Sequence, residues 1–102
     1  LDKEDSMIST FRDYELQDKN HFHAHIEVNP TGLLDVDIIE KNEHHQTELC
    51  DISFEKLDGK TRIKGKEAQH QWQLDLDDRD ATELHHLISE ANEEYEILMR
   101  DL

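Results

Sequence analysis

The chain has 102 residues, 34% hydrophobic and 36% charged, and its 26 Asp and Glu against 11 Lys and Arg give a formal charge of −15 with histidine neutral. That length fits one core and a single domain over 1–102, and the excess of carboxylates disfavours direct contact with nucleic acid or with an anionic membrane surface. Protonating all eight histidines adds eight charges to −15 and leaves −7, so acid pH softens the field without reversing its sign.

In chain order, residues 1–6 (LDKEDS) are polar and expected to fray. From Met7 to Gln17 the pattern suits both a short helix (Met7, Ile8, Phe11, Tyr14) and a strand (Tyr14, Leu16); the favoured reading is a strand from about Phe11 to Gln17, with room for a helical turn before it, followed by a tight Asp18-Lys19-Asn20 connection in which Asn20 is expected to be left-handed. The run HFHAHIEV then places Phe22, Ala24, Ile26 and Val28 on one strand face and His21, His23, His25 and Glu27 on the other. Leu34, Val36 and Ile38 alternate with Asp35, Asp37 and Ile39 in the same way. Between the two runs, Pro30 and Gly32 suit a three-residue loop built on a type I turn with a left-handed closing residue. That loop pairs Val28 with Leu34, Ile26 with Val36 and Ala24 with Ile38, so turn chemistry and apolar pattern select one register. On the other side, Leu16 is expected opposite Phe22 and Tyr14 opposite Ala24.

The polar segment Lys41 to Gln46 reads as a loop, and a fourth strand begins at Thr47 with Cys50, Ile52 and Phe54 facing inward. Its expected pairing sets Ile38 against Cys50, Val36 against Ile52 and Leu34 against Phe54, with Ile39 facing Leu49 on the outer side. Asp58-Gly59 is a strong hairpin signal that pairs Leu57 with Lys60, Glu55 with Arg62 and Phe54 with Ile63. Gly65 to Gln69 reads as an irregular edge or bend, and Trp72, Leu74 and Leu76 mark a last strand. From Leu84 the period becomes helical, through Leu87, Ile88, Ala91, Tyr95, Leu98 and Leu102. Asp80 is the expected N-cap, with Glu83 completing a capping box. The expected class is α+β: an antiparallel meander of about six strands over 11–77 and one helix over 80–101. A helix about 10 Å wide does not cover six strands about 4.8 Å apart, so the sheet is expected to curl or to be covered by a second subunit. A curled meander closed by a terminal helix resembles the pleckstrin-homology type of barrel, a likeness of architecture alone.

The single cysteine, Cys50, excludes an intrachain disulfide and suits a reducing, cytoplasmic location; its place in the alternation suggests burial. No run of consecutive apolar residues exceeds three, so neither a membrane span nor a signal-peptide core is expected. His21, His23, His25 and Glu27 form a candidate metal set on one strand face, with Asp37 opposite His25. The spacing His21-x-His23-x-x-x-Glu27 resembles the first half of a cupin metal motif, which implies zinc or a similar divalent ion. The glycines that family places around it are not at those positions, and no second half with a later histidine follows. Asp75, Asp77, Asp78 and Asp80 depart from an EF-hand loop, whose fifth, sixth and twelfth positions would hold Arg79, Asp80 and His86. His44 and His45, like His85 and His86, read as solvated pairs. With no phosphate loop, serine nucleophile motif or acid/base dyad, an enzyme is not expected, and no cofactor is called for.

Three functions fit these features. The first is a non-catalytic interaction or regulatory domain whose acidic surface meets a basic or neutral protein, through Glu83, Glu90, Glu93 and Glu96 of the helix and the His25/Asp37 face. The second is metal binding by the histidine strand. The third is homodimerisation through apolar residues on the outer face, Leu33, Ile39, Leu49 and Phe11.

Overall fold

The computed structural model describes residues 8–100, with side chains through Glu93; the tail expected over 1–6 lies outside them. Among the described residues the alternating segments form seven strands followed by a helix: β1 (Thr10–Glu15), β2 (His23–Asn29), β3 (Leu33–Ile38), β4 (Glu43–Glu48), β5 (Ile52–Lys56), β6 (Lys60–Glu67), β7 (His70–Asp77) and α1 (Asp78–Arg100). They pair as two antiparallel sheets, β1-β2-β3-β4 and β5-β6-β7. The molecule is thus α+β, as its pattern indicates, but with seven strands in two sheets in place of one curled meander of six.

The central hairpin takes the register its loop dictates. Ala24 pairs with Ile38, Ile26 with Val36 and Val28 with Leu34, and Gly32 closes the loop at φ 108° with its N–H donating to the Asn29 carbonyl at 2.9 Å. Tyr14 faces Ala24 in β1 as expected, and Leu16 donates its N–H to the Phe22 carbonyl at 2.7 Å. The left-handed residue of that connection is His21 (φ 52°) and not Asn20, so β2 begins at His23 and His21 stands outside it.

The break between sheets corrects the fourth strand. Ile39–Lys41 form one 3-10 turn, closed by Asn42 in the left-handed region at φ 52°, ψ 42°, a conformation Asn tolerates better than most residues. This returns the chain at once, and Lys41 to Gln46, expected as loop, yields most of β4. Ile38 pairs with Glu43, Val36 with His45 and Leu34 with Thr47, not with Cys50, Ile52 and Phe54. A second 3-10 turn, Leu49–Asp51, then carries the chain from one sheet to the other. It rotates the alternation: Leu49, expected outside, is 3% exposed, and Cys50, expected inside, is exposed. The Leu49 N–H donates to the Gly32 carbonyl at 2.9 Å, pinning this corner to the β2–β3 loop.

In the second sheet Glu55 faces Arg62 and Phe54 faces Ile63, with Gly59 at φ 82° in the turn. Gly65, expected in a bend, lies inside β6 opposite Trp72. The reason is steric: a Cβ on Gly65 would stand 2.3 Å from the Trp72 ring, so glycine leaves the room the indole occupies. The turn that ends β6 follows at Ala68, which carries φ 56°. Alternate positions of β6 present Lys60, Arg62, Lys64 and Lys66 on the face away from the core, where Lys60 and Arg62 meet Asp75 at 3.0 and 2.8 Å and Lys64 meets Glu55 at 2.9 Å.

One core joins both sheets and the helix. Ile26, Leu34, Val36, Ile63, Leu76 and Leu84 are its largest fully buried side chains, and Ala81, Leu84, Ile88 and Ala91 supply the helix stripe. The sheets are tied directly as well: Trp72 Nε1 of β7 donates to Thr47 Oγ1 of β4 at 2.7 Å in a buried hydrogen bond, and the His45 and Trp72 rings stack with centroids 5.4 Å apart. Asp77, one residue before the helix, accepts the Arg79 N–H at 3.1 Å; Asp80, expected as cap, lies inside the helix, and Glu83 is turned elsewhere. No helix among the described residues is long and apolar enough to cross a membrane.

Candidate functional site

Strand alternation puts thirteen side chains of β1 to β4 on the face of the four-stranded sheet that looks away from the core. They are Phe11, Asp13, Glu15, His23, His25, Glu27, Asn29, Leu33, Asp35, Asp37, His44, Gln46 and Glu48, all exposed or half-buried. Six are carboxylates, three are imidazoles and none is Lys or Arg. Register aligns four of them in one row across every strand: Asp13 faces His25, His25 faces Asp37 and Asp37 faces His44. Acid and imidazole therefore alternate over the full width of the sheet.

Each imidazole is held by a carboxylate. His25 Nδ1 lies 2.6 Å from Asp13; His44 Nδ1 lies 2.5 Å from Asp37, with its Nε2 3.3 Å from Asp35. His23 Nδ1 lies 2.5 Å from Glu40, whose other oxygen accepts the His23 backbone N–H at 2.7 Å, and His21 lies 2.9 Å from Glu15. The Glu40 hydrogen bond raises the pKa of His23 above its ordinary value, and His23 in turn lowers that of Glu40. The Asp37 hydrogen bond likewise raises His44. These shifts follow from a carboxylate stabilising the charged imidazolium. Apolar side chains border the pairs: Phe11, 52% exposed, stacks on His25 with centroids 5.8 Å apart, and Ile39 is 58% exposed beyond the end of β3.

The residues singled out from sequence fare unequally. His25 and Asp37 sit side by side at the centre of the row, and Ile39 is exposed as expected; Leu49 is removed from the surface by its burial. His21, His23, His25 and Glu27 are not brought together as a ligand set, because the three imidazoles turn to three different carboxylates and Glu27 accepts the Ser9 hydroxyl at 2.7 Å. On the helix, Glu83 is engaged internally: it accepts the Tyr14 hydroxyl at 2.7 Å and meets Arg12 at 3.3 Å. Burial and then this hydrogen bond hold Tyr14 well above the ordinary tyrosine range. Glu90 and Glu93 are exposed, Glu90 lying 3.7 Å from His86, and the Glu96 side chain lies outside the described residues.

Asp13, His44, Asp35 and Glu40 complete the acid–imidazole surface without having been singled out. The first could have been found by extending the predicted Tyr14/Ala24 pairing by one residue. His44 was hidden by the unexpected turn that makes β4.

Two other places gather polar groups. A cleft of about 170 Å3 opens between the sheets, with Leu16, Phe22, Ile38, Trp72 and Leu74 on its walls and Lys41, Glu43, His45 and Asp75 around them. His45 is tied there to Glu43 at 2.6 Å and to Glu67 at 3.3 Å. At the corner between β4 and β5, exposed ligand atoms of Glu48, Cys50 and Asp51 lie within 4.8 Å of one another. Compared with protein-family models, curated proteins and solved structures, the chain matches none of them.

Proposed function

We propose that the chain is a non-catalytic interaction domain that docks a Lys/Arg-rich polypeptide segment on the outer face of its four-stranded sheet. The observation that carries this reading is that, among the described residues, the thirteen outer positions of β1 to β4 hold six carboxylates and no Lys or Arg, with Asp13 and Asp37 in one cross-strand row. A face of one sign raises the local concentration of an oppositely charged partner and speeds encounter. Phe11 and Ile39 supply apolar contact for the aliphatic stems of lysine and arginine. The same charge argues against a second copy of the chain on this face, since two like-charged faces would repel. The exposed thiol of Cys50 suits a reducing compartment, which supports a cytoplasmic setting. The order of a four-stranded sheet, a three-stranded sheet and a terminal helix is in keeping with the pleckstrin-homology likeness, a matter of layout that assigns no function.

The test is titration with an octa-arginine peptide at low and high salt, using Asp13→Lys/Asp37→Lys and, separately, Glu90→Lys/Glu93→Lys. Binding that weakens with salt and is lost in the sheet variant alone supports the reading. Loss in the helix variant alone moves the contact to the helix, and absence of salt-sensitive binding removes the proposal.

A further inference from the structure

The pairing of carboxylates with imidazoles on the outer sheet face has a consequence for when that face is free. Asp13, Asp37 and Glu40 each have an imidazole nitrogen within 2.5–2.6 Å, and Glu15 has His21 at 2.9 Å. Neutral imidazole leaves the carboxylate's charge available to a passing lysine or arginine. Imidazolium cancels it in place. We propose that docking of a cationic segment on this face is proton-gated, the sheet's own histidines acting as built-in competitors that occupy the carboxylates when the pH falls. The inference rests on the docking reading above and adds its regulation.

The surroundings of the imidazoles favour such a gate. His23 is faced by Glu40 after β3 and by Glu15 and Asp13 of β1. His44 is faced by Asp37 and Asp35 of β3 and, at longer range, by Glu67 of β6. His25 lies between Asp13 of β1 and Asp37 of β3, with Phe11 against its ring. The charged groups that face His23 and His44 among the described residues are thus carboxylates, which favour the imidazolium form of both. The raised values of His23 and His44 place the onset of gating on the neutral side of the ordinary histidine range. The hydrogen bond from His23 holds the Glu40 carboxyl below its ordinary range, so in that pair the imidazole is the group that changes.

The magnitude follows from screened Coulomb attraction. A unit charge about 6 Å from a partner charge across water contributes roughly a threefold factor in affinity, so cancelling two or three carboxylates lowers binding by about tenfold at low salt. The experiment measures the affinity of octa-arginine at pH 7.5 and pH 5.5 for the wild type and for His23→Gln/His25→Gln/His44→Gln, with circular dichroism confirming the fold of each. The expected result is a drop of about tenfold in the wild type and of less than about twofold in the variant. Equal wild-type affinity at the two pH values overturns the gate and leaves the docking reading intact; a full tenfold drop in the variant does the same. No salt-sensitive binding at pH 7.5 removes the docking reading, and the gate with it. For a variant that fails to fold, a wild-type titration read by the imidazole resonances decides instead. Resonances of His23 and His44 that move on peptide binding, with a shift of their titration to lower pH, support the gate; titration unaffected by the peptide overturns it.

Discussion

Replacing Thr47 with Val tests the link between the two sheets. The Thr47 hydroxyl is the acceptor for Trp72 Nε1 at 2.7 Å, and the two residues are 2% and 7% exposed, so water cannot readily take the hydroxyl's place. Valine keeps the branched shape and removes the acceptor, leaving a buried indole N–H unpaired at a cost of about 1–3 kcal/mol. The extra apolar group returns up to about 0.8 kcal/mol. From the middle of that cost range, about 2 kcal/mol, the expected net loss is about 1–2 kcal/mol, which for a domain of this size lowers Tm by roughly 5–15 °C. The chain has one tryptophan, so fluorescence during urea unfolding reports from the bond in question, and circular dichroism gives an independent trace. In a Trp72→Phe background, where the donor is gone, Thr47→Val should cost little. Thr47→Val within about 0.3 kcal/mol of wild type, or an equal cost in both backgrounds, would refute the claim that this hydrogen bond joins the sheets.

Three further outcomes follow from other contacts. Gly65→Ala forces a Cβ to within 2.3 Å of the Trp72 ring; the expected destabilisation is about 1–3 kcal/mol, with a shifted tryptophan emission maximum. Asp75, held below the ordinary aspartate range chiefly by its hydrogen bond to Arg62, contributes stability that is present above pH 3.8 and is lost as pH falls through its lower folded value. Asp75→Asn should cost about 1–2 kcal/mol at pH 6 and show a smaller further loss between pH 4 and pH 2.5, measured by chemical denaturation. His23 and His44, raised by Glu40 and Asp37, give the opposite sign: their contribution is complete below 6.5 and is lost as pH rises through their folded values. The Tm of the wild type should therefore be higher at pH 5.5 than at pH 8, and the difference should shrink in His23→Gln/His44→Gln.

Where local signals spoke twice, the fold was legible in the sequence. The β2–β3 register followed from both the Asn29-Pro30-Thr31-Gly32 loop and the apolar alternation, and the β5–β6 register from both Asp58-Gly59 and the Glu55/Arg62 match. Legibility ended at two 3-10 turns that carry no glycine or proline. Asn42 in a left-handed conformation did the work expected of a six-residue loop, and Leu49–Asp51 inverted the in-and-out order at the sheet corner. Those two turns account for the misplaced burial of Leu49 and Cys50 and for the missed strand that carries His44. Gly65 misled in another way: its small size is required by packing against Trp72 and not by a bend. Of the surface, His25 beside Asp37 was readable because it depends on one well-determined hairpin. The full Asp13–His25–Asp37–His44 row needs three registers at once, and the third was hidden.

Among the described residues the side-chain cations are unevenly spread. Lys60, Arg62, Lys64 and Lys66 stand on β6, whereas the outer positions of β1 to β4 hold no lysine or arginine. Coupling through the lysines of the described residues would therefore tether the protein largely by the three-stranded sheet and the loops, with the opposite side turned toward solution. An anion-exchange matrix would grip the reverse side. Immobilisation chemistry thus decides in advance whether the imidazole-bearing surface is displayed or masked, and any sensor experiment on this protein inherits that choice.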